Sequence, residues 1–141
     1  MDWYKIMMQY LNHHLLTGVA GILSLATAVL HVWGGGVEFH KPMLAGGSSD
    51  KLKAGFSVIW HEVTAMLVVN GVALLAVVRS PAFGQGLIWL VLLQFLAFAF
   101  LFMFYGRTRL KTFWVLPQWT IFAVLSMLIA GDLYLQMAIA P

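Results

Sequence analysis

The sequence predicts an all-α membrane protein in which four transmembrane helices form a single up-down bundle. Hydrophobic residues make up 62% of its 141 positions and charged residues only 9%. A soluble domain of this length has no core large enough to bury so many apolar side chains, so they are expected to face lipid. Four apolar segments come close to the roughly 20 residues that a helix needs to cross the bilayer. Open strands cannot cross it, because their backbone groups would stay unpaired in hydrocarbon.

The predicted helices cover about residues 15–33, 54–78, 83–105 and 113–138. Three consecutive glycines, Gly34–Gly36, are interpreted as the end of the first helix. Residues 34–53 then form the longest loop, and loops of roughly 20 residues are often functional. Ser49 or Asp50 is expected to cap the second helix, and Pro81 to open the third. Pro117 marks the expected start of the fourth.

The basic residues predict how the chain is oriented. Six of the eight follow helix one or helix three, and two lie toward the opposite side. The excess of positive charge is typical of cytoplasmic loops, so both termini are expected on the non-cytoplasmic side of a bacterial inner membrane. Scattered in this way, the basic residues form no stripe for nucleic acid, and none is expected as a partner. The two groups are Lys41, Lys51, Lys53, Arg107, Arg109 and Lys111 against Lys5 and Arg79.

Several function classes are excluded by missing residues. The chain has no cysteine, which removes disulfides, thiolate metal sites, thiol catalysis and iron–sulfur clusters. It also has no hydrolytic triad, P-loop or nucleotide fingerprint, so an activity of the soluble-enzyme type is not expected. Whether the protein is an enzyme at all stays open.

Two helical faces carry small and polar residues. On each face the spacings alternate between three and four residues, which places the members along one side of a helix. Small and hydroxyl side chains allow membrane helices to approach closely, so helix packing is the simplest interpretation of most of them. The two sets are Thr17, Ala20, Ser24, Thr27 and His31 on helix one, and Ser57, His61, Thr64, Val68 and Gly71 on helix two.

The two histidines predict a binding site near the cytoplasmic end of helices one and two. His31 and His61 lie at similar depth, where ionisable groups face a partner or a wet cavity. Glu38 and His40 follow His31 and complete a His/Glu set that suits zinc, iron, nickel or copper. Alternatively, His31 and His61 hold a haem by its axial positions, with Thr64 orienting a ring. The competing interpretations are neutral histidines bonded to a neighbouring helix, and an ordinary wet loop for Glu38 and His40.

A short pattern resembles a known group of proteins. The pattern is His31-(x)6-Glu38-(x)3-Pro42-Met43-Leu44-Ala45 followed by Trp60-His61-(x)2-Thr64. It is similar to small, uncharacterised bacterial four-helix inner-membrane proteins, over helix one through helix two. The resemblance implies the four-helix fold and draws attention to His31, Glu38, His61 and Thr64. It implies no reaction.

Two other function classes remain open on the sequence alone. One is an oligomeric transporter subunit for a small solute or a proton-coupled substrate, with His31, His61 and Asp132 as titrating groups. The other is a structural or assembly subunit of a larger membrane complex, whose aromatic third helix contacts lipid or protein. Asp132 is expected to pair with Arg79, or with His13 or His14.

Overall fold

A computed structural model describes residues 14–139, except for the side chains at positions 81 and 139. Four of its helices are long and apolar enough to cross a membrane, as in a multi-pass membrane protein, and the described residues contain no strand. The predicted all-α class and the number of spanning helices are therefore confirmed. The four are α1 (Leu15–Ala45), α2 (Asp50–Arg79), α3 (Gly84–Arg109) and α4 (Trp119–Ile139).

The helices pack as a closed ring around one apolar core. Each contacts its neighbour in the chain, and α1 also contacts α4. Large apolar side chains remain on the outside: Leu93 and Phe100, for example, are each 60% exposed. Such an outer surface suits contact with lipid, whereas in water it would form a large exposed apolar patch. The fully buried large side chains of the core include Leu67, Leu74, Ile88, Phe95, Leu125 and Ile129.

The end predicted for the first helix is wrong. α1 runs as an α-helix over Leu15–Leu30, widens into a π-helix over His31–His40 and closes with an α-helical turn over Lys41–Ala45. The backbone N–H of Lys41 donates to the carbonyl of Gly36, five residues earlier, as a π-helix requires. Glycine ends a helix where the chain turns left-handed, and none of Gly34–Gly36 has a positive φ. In an apolar setting, continued helix also keeps the backbone paired.

The connections are consequently shorter or displaced. Only residues 46–49 separate α1 from α2, and the predicted cap is confirmed, since the Ser49 hydroxyl accepts from the Leu52 N–H at 3.4 Å. Pro81 was predicted to open the third helix; it begins a 3₁₀ turn, Pro81–Phe83, and α3 starts after it at Gly84. α3 extends to Arg109, beyond the predicted 105, and α4 begins at Trp119 rather than near 113. The chain folds back over Gly106, where a Cβ would lie 2.9 Å from the Thr112 carbonyl oxygen.

α1 and α2 pack closely through small residues. A Cβ on Gly71 would lie 2.9 Å from the Gly21 carbonyl oxygen, and the Ser24 hydroxyl donates to the Leu67 carbonyl at 2.8 Å. The small-residue face predicted on helix one does point inward, since Thr17, Ala20 and Ser24 are buried. The inward face of α2 differs from the predicted one. His61 and Val68 of the predicted face are exposed, and the buried residues of α2 are Leu67, Asn70, Gly71, Leu74 and Val77.

A buried carboxylate joins α4 to the start of α1. Asp132 is 2% exposed and accepts hydrogen bonds from the Leu16 N–H (3.1 Å), the Thr17 hydroxyl (2.7 Å) and the Gln136 amide (2.8 Å). The His14 Nδ1 lies 3.5 Å from an Asp132 oxygen, which confirms the predicted pairing with His14. The alternative partner His13 lies outside the described residues, and no ion pair joins Asp132 to Arg79 within them.

Candidate functional site

Trp60 on α2 is the centre of a ring cluster that also contains His31. The two rings stack with centroids 4.0 Å apart and planes 17° apart. The His31 Nε2 lies 3.3 Å from the Trp60 carbonyl oxygen, and the Thr64 hydroxyl donates to that same oxygen at 3.3 Å. Thr64 was predicted to orient a ring; it bonds to the carbonyl that His31 also contacts, and not to an imidazole. Stacking and the carbonyl contact together hold the His31 ring against α2.

The π-helix brings His40 to the same cluster. An α-helix turns about 100° per residue, so residues nine apart lie on opposite faces. The wider π-helix, at roughly 4.4 residues per turn, returns to the same face after nine residues. His40 accordingly stacks on Trp60 at 5.5 Å and 12°, and its Nε2 lies 3.0 Å from the Ser57 hydroxyl. The local winding of α1 therefore decides that both imidazoles face α2.

His61 joins the cluster through His40. The two imidazoles meet edge to face with centroids 5.4 Å apart, and His61 is exposed on α2. Between His31 and His61 no ring contact is found in the described part of the chain; the chain of contacts runs through Trp60 and His40. Glu38 is exposed, and within residues 14–139 no group of three His, Asp or Glu side chains converges.

A cavity of about 590 Å³ lies beside this cluster and is bounded by all four helices. Most of its wall is aromatic or aliphatic, from Phe39 and Leu30 on α1 to Phe122 on α4. The polar lining consists of Thr27, His31, Glu38 and Gln118. Of the predicted site residues, His31 and Glu38 line the cavity, whereas His40, His61 and Thr64 do not.

One polar atom of the lining lacks a partner. The Gln118 Oε1 is buried and accepts no hydrogen bond from any described residue. A buried acceptor without a donor costs about 1–3 kcal/mol. Gln118 also lines the cavity, and a rotation of its side chain would present this oxygen to a bound molecule.

Sequence reasoning missed the aromatic wall. The aromatic residues of helix three were considered only as a contact surface for lipid or protein. Phe98 and Phe102 do pack on Phe122, at 5.1 and 5.8 Å between centroids, but they also line the cavity. Their spacing of four residues places both on one face of a helix, which was the available signal. Trp60 was part of the quoted pattern and was assigned no role.

No protein family, curated protein or solved structure matches this chain. The resemblance to bacterial four-helix membrane proteins stays a prediction, and the cavity is interpreted from its own geometry.

Proposed function

We propose that this multi-pass protein of a bacterial inner membrane binds a lipid-soluble ring compound that carries hydroxyl donors, such as a quinol, in the cavity beside His31. The observation that supports this most directly is the cavity of about 590 Å³ between the helices, with aromatic walls and few polar atoms. Cavities of roughly 300–1,000 Å³ with this kind of lining are typical of sites for small organic molecules. Flat rings stack favourably on aromatic side chains such as Phe98 and Phe102.

The polar atoms favour a ligand that donates hydrogen bonds. A carbonyl oxygen only accepts, so the contact with Trp60 places the proton of His31 on Nε2. Nδ1 is then left with its lone pair. A rotation of the Gln118 side chain, which also lines the cavity, would present its buried, unpartnered Oε1 as a second acceptor. Two such acceptors would complement the two hydroxyl groups of a quinol-type ring.

Access from the bilayer follows from the rim of the cavity. Leu30 and Ile59 line it and are 64% and 60% exposed. On a spanning helix, exposed aliphatic side chains face lipid. The cavity also lies toward the end of the bundle with the lysine-rich start of α2, where Lys51 and Lys53 are located. Under the positive-inside rule this is the cytoplasmic half, with both termini on the other side.

The prediction from the sequence, a haem or metal ion held by His31 and His61 together, is distinct from the ring compound proposed here. His61 does not line the cavity, so in the proposed arrangement His31 is the imidazole that contacts the ligand. A haem bound by His31 would be recognised by its Soret absorption.

His31→Phe is expected to weaken the binding of a short-chain quinol by about five- to tenfold. Phenylalanine preserves the stack on Trp60 but removes the acceptor nitrogen, and one buried hydrogen bond contributes about 1–1.5 kcal/mol. Quenching of tryptophan fluorescence in detergent reports binding, because Trp60 lines the cavity. The matched control is His61→Phe, which changes an exposed imidazole outside the lining and is expected to bind as the unmodified protein does.

Equal affinities of these two variants would contradict the role of His31. Absence of saturable quenching in the unmodified protein would contradict the proposal itself. A third outcome is that the protein binds no quinol but shows a Soret band on addition of haemin, and that this band is lost in His31→Phe. That outcome would identify haem, and not a quinol, as the ligand of the cavity.

A further inference from the structure

We infer that His40 and His61 form a second site, which binds one divalent transition-metal ion of the kind that prefers imidazole, such as Cu²⁺ or Zn²⁺. This site lies outside the cavity and does not depend on the ligand proposed there. It differs from the predicted set of His31, His61, Glu38 and His40, because the geometry pairs only two of those side chains closely.

The separation of the two rings fits a shared ion. In a tetrahedral site the metal–nitrogen distance is about 2.0–2.1 Å, which places each ring centroid about 3.2 Å from the ion. Two such centroids are then about 5 Å apart at the tetrahedral angle. The centroids of His40 and His61 are 5.4 Å apart. The separation is thus close to that of two imidazoles on one ion, and a rotation of the exposed His61 side chain would turn one of its nitrogens toward His40.

The hydrogen bonding leaves suitable nitrogens for coordination. His40 places its Nε2 3.0 Å from the Ser57 hydroxyl, which leaves Nδ1 for a metal ion. A partner on the opposite ring nitrogen is what orients most metal-binding histidines and fixes their tautomer. Stacking on Trp60 and Phe56 holds the His40 ring further. No hydrogen bond engages His61 within the described residues, and its exposure gives an ion access.

Two protein ligands define what such a site can hold. The remaining positions are left for water or an exogenous ligand, as in a labile or open metal site. The ligand set contains nitrogen and no sulfur, since the chain has no cysteine. Affinity should therefore follow the usual order for nitrogen ligands, with Cu²⁺ above Zn²⁺ and Mn²⁺ weakest. Mg²⁺ and Ca²⁺ prefer oxygen and should not compete.

The experiment titrates Cu²⁺ or Zn²⁺ into the full chain in detergent by calorimetry, with His40→Phe, His61→Phe and the double variant. Each single variant is expected to lose at least tenfold in affinity for one ion per chain. The double variant should lose little more, because the two imidazoles act as a unit. His31→Phe is the matched control, since His31 stacks on the same tryptophan without contacting His61, and it should retain the site.

A measurement on the unmodified protein tests the site without relying on folded variants. Electron paramagnetic resonance of the stoichiometric Cu²⁺ complex should show hyperfine coupling from two imidazole nitrogens, and Zn²⁺ should protect His40 and His61 together from carbethoxylation. Unchanged affinity in both single variants, or a copper spectrum without two imidazoles, would overturn the inference. Protection of His61 alone would do so as well, because a lone histidine is not the proposed pair.

Discussion

Replacement of Asp132 by alanine is expected to lower the free energy of unfolding by about 2–6 kcal/mol, because two buried donors would each lose their acceptor at a cost of about 1–3 kcal/mol. The Asp132 carboxylate accepts three hydrogen bonds and is 2% exposed. One donor is the Leu16 N–H in the first turn of α1, which has no partner within its own helix. Alanine would leave this N–H and the Thr17 hydroxyl without an acceptor in an apolar setting.

Unfolding in mixed micelles, followed by circular dichroism, measures this loss. Asp132→Asn should show a smaller effect, because one oxygen remains while the other becomes a donor that faces donors. The matched control is Glu62→Ala, which removes an exposed carboxylate on α2 and should change stability by no more than about 0.5 kcal/mol. Similar small losses for Asp132→Ala and Glu62→Ala would show that the network does not tie α4 to α1.

Alanine at two glycines of α2 is expected to change stability in opposite directions. At Gly71 the new Cβ would lie 2.8 Å from Leu25 Cγ and 2.9 Å from the Gly21 carbonyl oxygen. The leucine can move but the backbone oxygen cannot without separating the helices, so Gly71→Ala should destabilise by about 1–3 kcal/mol. At Gly55 nothing lies within 4 Å of the new Cβ. Gly55→Ala should therefore stabilise the helix by about 0.5–1 kcal/mol.

The same unfolding assay compares both variants with the unmodified protein. The pair is closely matched, since both glycines lie inside α2 and receive the same methyl group. If Gly71→Ala were as stable as Gly55→Ala, the close approach of α1 and α2 would be contradicted.

The sequence predicted the fold because the constraints of the bilayer act on local composition. Four apolar runs, each long enough to span the bilayer, predict four helices. The inward face of α1 with Thr17 and Ser24 follows from helical spacing alone. The end of α1 was missed because Gly34–Gly36 were interpreted by their behaviour in water, where the backbone can end a helix and bond to solvent. The inward face of α2 was predicted from its small and polar residues. In the structure Leu67 and Asn70 face the core, and the predicted residues do so only in part.

The candidate site was predicted only in part, for geometric reasons. His31 belongs to it, but His40 reaches Trp60 because α1 winds as a π-helix over His31–His40, and no spacing rule predicted that winding. The cavity needs walls from four helices, including Phe98 and Phe122, whose separation from α1 in sequence hides their proximity. Periodicity shows which face of one helix is apolar. It does not show where the side chains of four packed helices leave a cavity between them.

The central claim is that the cavity beside His31 binds a lipid-soluble ring compound, and the most direct test fills the cavity. Gly34 lines it, and a Cβ at this position would meet no atom within 4 Å, so a larger side chain can begin there without a clash. Gly47→Phe is the matched control, because Gly47 has equal room and does not line the cavity. The measurement is the affinity of each variant for a short-chain quinol, from tryptophan quenching. We expect Gly34→Phe to abolish saturable binding and Gly47→Phe to retain it; equal binding by both would contradict the assignment of the cavity.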